Sequence, residues 1–453
     1  VYCHFLGDII YGNVPGCQVF RRTRFVVRKV LKTAKKSSSL KKATPKKAVK
    51  AKSKTVSIKK TPSSKRTAPA TRILIVNYEF PPLGGGGGVA ALDLAREWAK
   101  HAQVDVLTSS FKDLPRSEKV EGINIYRVRV LFRRSRDAAS FISMLSYLFF
   151  GFFKGMSLAK KNRYTVINTH FAVPSGPLGY IIGKLFSIPN VLSLHGGDIY
   201  DPSKKSSPHK SIIFRTVIRI ILNRATRVIA QSSNTRGNAI TYYKPKKEIE
   251  IIALPFHPPV IPKTKRSDLA VDKNDFLIVT CGRVVKRKAY DVLIHALFEI
   301  KNPRVKLAIL GDGPERKNLE DLANYLGLHD RVRFMGFVSE QEKFSFLNVS
   351  DLFALTSLHE GFGIVFMEAM FCGKPIVCTN HGGQTDFLFH EQNALLLDVG
   401  DIKACAEYIS RFMSDKKLYS RCVTQNKKKI RDFYADRISS EYMKVFNEIR
   451  KRN

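Results

Sequence analysis

Short unbroken apolar runs, each stopping at a glycine or polar turn, constrain this chain more than anything else in it. Ile73-Leu74-Ile75-Val76 opens the series and leads through Asn77-Tyr78-Glu79-Phe80-Pro81-Pro82 into five glycines, Gly84 to Gly88. Runs without polar alternation fit strands buried on both faces, the condition of a parallel sheet covered by helices. A helical pattern follows, with Val89, Leu92, Leu94, Ala95 and Trp98 as its apolar positions, and Val104 to Leu107 is the next strand. Strand, glycine-rich turn, helix, strand is the opening of a doubly wound α/β fold. Tyr164 to Asn168, Asn190 to Leu194 and Val228 to Ser232 continue it, the second ending at His195-Gly196-Gly197-Asp198. Pro255, Pro258, Pro259 and Pro262 then mark a linker.

Beyond the linker the same grammar restarts. Phe276 to Thr280 ends at Cys281-Gly282-Arg283, with Lys286, Arg287 and Lys288 just after it. Val305 to Leu310 ends in Gly311-Asp312-Gly313-Pro314, Val332 to Phe334 leads to Gly336, and Pro375 to Thr379 runs into His381-Gly382-Gly383. Leu352 to Leu355 runs into the stretch Ser357 to Pro375, which holds two carboxylates in otherwise apolar surroundings. Gly361-Phe362-Gly363 does not continue a helix comfortably, since each glycine costs about 1 kcal/mol there relative to alanine. The apolar run Ile364 to Phe371 is helical, and Gly373-Pro375 ends it. Glu360 therefore belongs to the loop ahead of a helix and Glu368 lies about one turn inside it. Backbone N–H groups at that helix N-terminus form a natural anion site beside the two acids. An anion flanked by carboxylates that accept hydroxyl hydrogen bonds is the outline of a nucleotide-sugar site.

Charge is unevenly spread along the 453 residues. Residues 1–72 hold 20 Lys+Arg against one acid, Asp8, and the remaining 381 residues hold 57 against 37. From Lys32 to Thr71 the chain is almost all Lys, Ala, Ser, Thr and Pro, with too little apolar surface to offset ordering entropy, so residues 1–71 are expected to be a disordered basic tail. Such a tail tethers a protein to nucleic acid or anionic lipid, or is simply solvated; a misplaced start of the coding region is a third reading. The seven cysteines are odd in number, include no C-x-x-C pair, and read as reduced residues of a cytoplasmic protein rather than a disulfide or metal framework. No charged, apolar and cleavage regions occur in the order of a signal peptide. Phe141 to Ala159 is near membrane-spanning length, but Ser, Tyr, Gly and Lys interrupt it, so it reads as a partly buried helix with an exposed apolar edge. Arg215 and Arg219 share one face of a second, basic amphipathic helix. The pair fits docking on the anionic inner face of a membrane, or an ordinary solvated surface.

With Arg283, Lys288, Glu360 and Glu368 in hand, the chain resembles family-4 glycosyltransferases of the GT-B fold over residues 72–450. The likeness rests on Y-E-F-P-P-L-G-G-G-G-G (78–88), H-G-G-D (195–198), G-R-V-V-K-R-K-A-Y-D (282–291), G-D-G-P (311–314), V-R-F-M-G-F-V (332–338), E-G-F-G-I-V-F-M-E (360–368) and H-G-G (381–383), in that order. It implies two Rossmann-like domains facing across a cleft, an acceptor-side domain at 72–260 and a nucleotide-sugar-binding domain at 261–453 whose last helix packs back on the first. It further implies a retaining transfer from a UDP- or GDP-sugar to a lipid-linked or carbohydrate acceptor. By this resemblance Arg283 and Lys288 would hold the diphosphate as it leaves, Glu360 would contact sugar hydroxyls and Glu368 the ribose. Gly361, Phe362 and Gly363 would offer backbone N–H groups, His195 would face the sugar, and the loop with Gly84, Gly85 and Gly86 would approach donor phosphate, as would Gly282. No metal or other cofactor is expected, positive side chains taking its place.

Two departures stand out: Ala289 where such enzymes commonly have glycine, and Asp386 where a glutamate is usual. Two other readings stay open at this point. One is a different GT-B enzyme, such as a nucleotide-sugar epimerase or a sugar phosphorylase. The other is a basic nucleic-acid-binding protein, with nucleic acid expected only through the tail if the chain is an enzyme.

Overall fold

The computed structural model describes residues 71–133, 140–204 and 206–452. Residues 1–70 of the basic tail lie outside them.

Two sheets account for the repeated grammar. The first contains β1 (Arg72–Asn77), β2 (Gln103–Ser109), β3 (Ser117–Val120), β4 (Ile123–Val128), β5 (Val166–His170), β6 (Asn190–Leu194), β7 (Arg227–Ala230) and β8 (Ile249–Ile251). Their order is β3-β4-β2-β1-β5-β6-β7-β8, parallel except for the antiparallel edge pair β3–β4. The second contains β9 (Phe276–Cys281), β10 (Val305–Leu310), β11 (Val332–Gly336), β12 (Leu352–Leu355), β13 (Ile376–Thr379) and β14 (Leu395–Leu397), in the order β11-β10-β9-β12-β13-β14. The central strands are buried on both faces, as their unalternating apolar runs require. The chain belongs to the GT-B architecture of two doubly wound α/β domains.

In each sheet the strand order reverses once. β1 pairs with β2 on one side and β5 on the other, and β9 pairs with β10 and β12. Such reversals open a crevice beyond the carboxyl ends of the strands, where open α/β sheets bind ligands.

Helix Ala435–Arg452 returns from the second domain and buries Ile438, Tyr442, Val445, Phe446 and Ile449 against Trp98 and its neighbours in the first. Trp98 lies 5.8 Å from the Tyr442 ring and 5.2 Å from Phe446, so the chain crosses between the domains twice and its last helix packs on the first domain. Opposite this layer, helix Phe141–Asn162 packs Gly151 and Gly155 against Leu178 and Ile182 of helix Ser175–Phe186. Its other face leaves Phe141, Ile142, Leu145, Phe149 and Phe153 exposed. The 22-residue helix is long and apolar enough to cross a membrane, yet Tyr147 and Leu158 are buried in the domain core.

Candidate functional site

Loops from the two strand reversals meet in one place. In the first domain β1 feeds the turn at Gly84, whose φ of +87° and close approach to the Glu79 side chain leave no room for a Cβ. Gly85 caps helix Gly86–Ala99 and is open to space. Gly86 faces Ile364 of the second domain, and Gly87 lies against Phe171 and the Nδ1 of His195. His195 follows β6. Its backbone N–H donates to Asp198, which also accepts from Ala172 at 2.6 Å. Burial pushes the Asp198 carboxyl up to about 6 against those two donors.

In the second domain Gly282 follows β9 and lies against the Lys288 side chain. Lys286 to Lys288 form one 3₁₀ turn, and Ala289, at φ +44°, starts helix Tyr290–Glu299. That turn drives Lys288 inward, to 6% exposure, and its Nζ donates to Glu360 Oε1 at 2.8 Å. Arg287 adds a contact at 3.3 Å to the same oxygen and donates to the His359 carbonyl. Burial alone would raise the Glu360 carboxyl; the two cations outweigh it and hold the group down at about 2. Arg283 is exposed on the same loop, near enough to Glu79 for its charge to counter part of the burial that raises that carboxyl.

Glu368 sits inside helix Ile364–Phe371, buried, with Oε1 held by Lys343 at 2.6 Å. Its Oε2 has no partner among the described residues, and burial raises the carboxyl despite Lys343. An acceptor so placed can take a hydroxyl hydrogen bond. Gly363 caps the helix. Phe362, by contrast, is a core residue, its ring 4.9 Å from Phe387 and 5.8 Å from Phe433; only its backbone is available to a ligand.

Gly361 is a point of close approach between the domains. Its carbonyl accepts from Ser232 Oγ at 2.7 Å, and a Cβ there would lie 2.6 Å from Gln231 Nε2 and 2.8 Å from the His195 carbonyl. Nearby, Asp386 accepts the Ser233 N–H at 2.7 Å, completing the cap of helix Ser233–Tyr243 from across the cleft. His359 and Asn234 hydrogen-bond at 2.9 Å in the same way.

The structure thus brings His195, Gly86, Lys288, Glu360 and Gly361 around one cleft, with Arg283 and Gly282 at the loop of β9. It adds residues that sequence reasoning passed over. Arg287 was visible as the middle of a basic run, but only the 3₁₀ turn shows it sharing Glu360 with Lys288. Lys343, 25 residues before Glu368, carries no sequence signal. Asp386, a departure from the usual pattern, finds its place as an interdomain cap.

A family model described as Glycosyltransferase Family 4 matches residues 84–256, and one described as Glycosyl transferases group 1 matches residues 262–429. A lipopolysaccharide core biosynthesis glycosyltransferase of Rhizobium meliloti is 36% identical over 203 residues, 45% of this chain and 58% of that protein. N-acetyl-alpha-D-glucosaminyl L-malate synthase of Bacillus anthracis is 25% identical over 382 residues, 81% of this chain and 95% of that one. In shape the chain is similar to Anabaena HepE in complex with UDP-glucose, at a TM-score of 0.69 and 24% identity over 83% of this chain and 99% of that one.

Proposed function

Because the chain belongs to the family-4 glycosyltransferases, we propose that it transfers a hexose, with retention, from a UDP-sugar to a lipid-linked acceptor. The observation that carries this reading is the buried Lys288 ammonium, held at the strand reversal of the second sheet by Glu360, whose neighbour Gly361 abuts the backbone of His195 and Gly196 in the first domain. As the bond between sugar C1 and the diphosphate oxygen breaks, negative charge grows on the departing phosphate. A fixed cation in a water-poor site stabilises that charge more in the transition state than in the ground state. Glu360 keeps Lys288 and Arg287 oriented and, through its remaining acceptor capacity, takes a sugar hydroxyl. Glu368 Oε2 takes the ribose. We propose that Lys288, Arg287 and Arg283 do the work that a metal–diphosphate complex does elsewhere.

Retention follows from attack on the face from which the diphosphate departs, with the acceptor proton passing to the leaving phosphate oxygen. Glu360, committed to two cations, is poorly suited as a covalent nucleophile. UDP is favoured as the nucleotide because HepE, of similar shape, is a UDP-glucose complex. Incubating the full chain with UDP- and GDP-hexoses, with and without glycolipid acceptors, tests the reading. Acceptor-dependent release of UDP and a product of unchanged anomeric configuration are expected. Epimerised donor without transfer, or a sugar trapped covalently on Glu360, would overturn it.

The acceptor class is argued from the surface of the first domain. Between residues 138 and 247 the only acids are Asp198 and Asp201, and both are buried. On the same domain Phe149 and Phe153 are about 60% exposed and Ile212 and Ile213 more than 75%, and the Phe141–Phe214 ring contact at 6.4 Å joins their two helices. An apolar face carried by a stretch of chain whose only acids are buried fits an anionic bilayer, and a lipid-linked acceptor would be met there, at the inner face of the membrane. Cosedimentation with phosphatidylglycerol vesicles is expected, falling with salt and lost in Phe149→Ser/Ile213→Ser; binding to neutral vesicles that is equal and unaltered by the substitutions would remove the lipid surface from the reading.

A further inference from the structure

Beneath His195 lies a buried polar chain that the transfer reaction as described does not use. Asn168 donates through Nδ2 to the Val191 carbonyl at 3.2 Å and to Ser193 Oγ at 3.1 Å. Those two partners fix the amide's orientation, since a carbonyl only accepts. Asn168 Oδ1 is thereby turned toward His170 Nε2 at 2.7 Å, and His170 Nδ1 meets His195 Nε2 at 2.9 Å. Ser193 Oγ is anchored in turn by the Tyr442 hydroxyl of the returning C-terminal helix, at 3.1 Å.

Proton positions along this chain follow from its fixed end. An amide oxygen accepts, so His170 carries its proton on Nε2. His170 Nδ1 is then a lone pair, and the proton at the 2.9 Å contact sits on His195 Nε2. A neutral imidazole has one proton, which leaves His195 Nδ1 as a bare acceptor. That atom is buried, makes no hydrogen bond of good geometry among the described residues although the Gln231 amide lies close by, and faces the backbone of Gly87 in the cleft. The His170 and His195 rings lie 5.1 Å apart at 25°, and Phe171 packs tilted against His195 at 4.5 Å, so the imidazole is packed by a ring on either neighbour. Burial, with the neighbouring ring, lowers the His170 pKa well below the usual range, and burial, partly offset by the Gln231 side chain, lowers that of His195 to about 4, so both are neutral at pH 7.

We propose that Asn168 and His170 are positioning residues that lock His195 in the Nε2–H tautomer, so that its Nδ1 receives a hydroxyl hydrogen bond from the sugar or acceptor in the cleft. His195 touches the substrate; His170 and Asn168 act through it. The functional part of this inference rests on the glycosyl-transfer reading, whereas the tautomer does not.

The experiment therefore has two arms. Long-range ¹⁵N–¹H NMR of the histidine-labelled full chain at neutral pH is expected to show His195 protonated at Nε2 and unprotonated at Nδ1. Protonation at Nδ1, for instance toward the unpartnered Oε1 of Gln231, overturns the proposal whatever the enzyme's activity. In the second arm His170→Leu removes the acceptor for His195 Nε2–H, and His170→Gln retains one at its side-chain carbonyl. Turnover is expected to fall about tenfold or more in His170→Leu, the loss of one oriented hydrogen bond. His170→Gln should stay close to the native rate, and the thermal shift produced by UDP should be unchanged in both. Equal loss in both variants, or none in either, would reduce His170 to a packing residue. Should His170→Leu not fold, the native spectrum still decides.

Discussion

The two faces of the cleft are built on opposite electrostatic plans. At the β9–β12 edge the two acids are held by cations: Lys288 and Arg287 on Glu360, Lys343 on Glu368. At the β1–β5–β6 edge the linked side chains His170, His195 and Asn168 are neutral and work through the direction of their hydrogen bonds, while the carboxylate there, Asp198, is committed to backbone N–H groups. Fixed cations cost desolvation and persist only beside carboxylates that compensate them. Such a plan suits a partner that brings its own negative charge, a diphosphate. A neutral relay exerts little pull on charge but decides which atoms accept, which suits hydroxyls. On the proposed reading the donor's anionic end belongs to one face and hydroxyl recognition to the other, with Gly361 at the seam.

The sharpest way to break that division is to remove its central cation. Lys288→Met keeps the stem and deletes the charge; turnover is expected to fall about 10²–10³-fold, the usual loss for one preorganised electrostatic contact. Alanine would be a poorer choice, since leaving Glu360 with one partner in a buried site destabilises the fold as well. Closing the seam comes next. Gly361→Ala places a Cβ 2.6 Å from Gln231 Nε2, separating the faces by a fraction of an ångström. A loss of about 10-fold to 10²-fold in turnover is expected in steady-state assays, with nucleotide affinity less affected.

A smaller effect tests the ionic plan through pH. The Glu360 carboxyl, held at about 2 when folded against its ordinary value of 4.5, contributes stability that is fully present above pH 4.5 and is lost as pH falls toward 2. Glu368, whose carboxyl is raised, works in the opposite direction. Urea denaturation of wild type and Glu360→Gln isolates the first term: their difference should shrink between pH 5 and pH 3. A constant difference would mean that the Glu360 charge is not what Lys288 and Arg287 hold. Smallest of all is Ala289→Gly. Its φ of +44° costs an alanine roughly 1 kcal/mol, partly offset by the greater entropy of an unfolded glycine, so a gain in stability below about 1 kcal/mol is expected.

Much of the architecture was legible because buried parallel strands leave unbroken apolar runs, and their loops must be polar or glycine-rich to reach the cleft. Ile73 to Val76 and Leu352 to Leu355 could be placed almost to the residue. The hairpin β3–β4 could not, because Ser117 to Val120 lies at an exposed edge and carries no apolar run. At the site, Glu360 and Lys288 stood inside recognisable motifs, but their mutual pairing depends on a fold that brings positions 72 apart to 2.8 Å. The His170–His195 contact was hidden for a related reason: each residue looks like the polar end of its own strand, and only the β5–β6 pairing sets them side by side. Apolar patterning encodes which elements stack, while the partners of a buried polar group are fixed by register.

The division of labour is tested most directly by titrating UDP calorimetrically into wild type, Lys288→Met and His170→Leu. If the second domain carries the anionic end of the donor and the first carries hydroxyl recognition, Lys288→Met should weaken UDP binding by about tenfold or more and His170→Leu should leave it unchanged. Equal weakening in both variants, or undiminished affinity in Lys288→Met, would mean that the ionic face is not where the diphosphate is held.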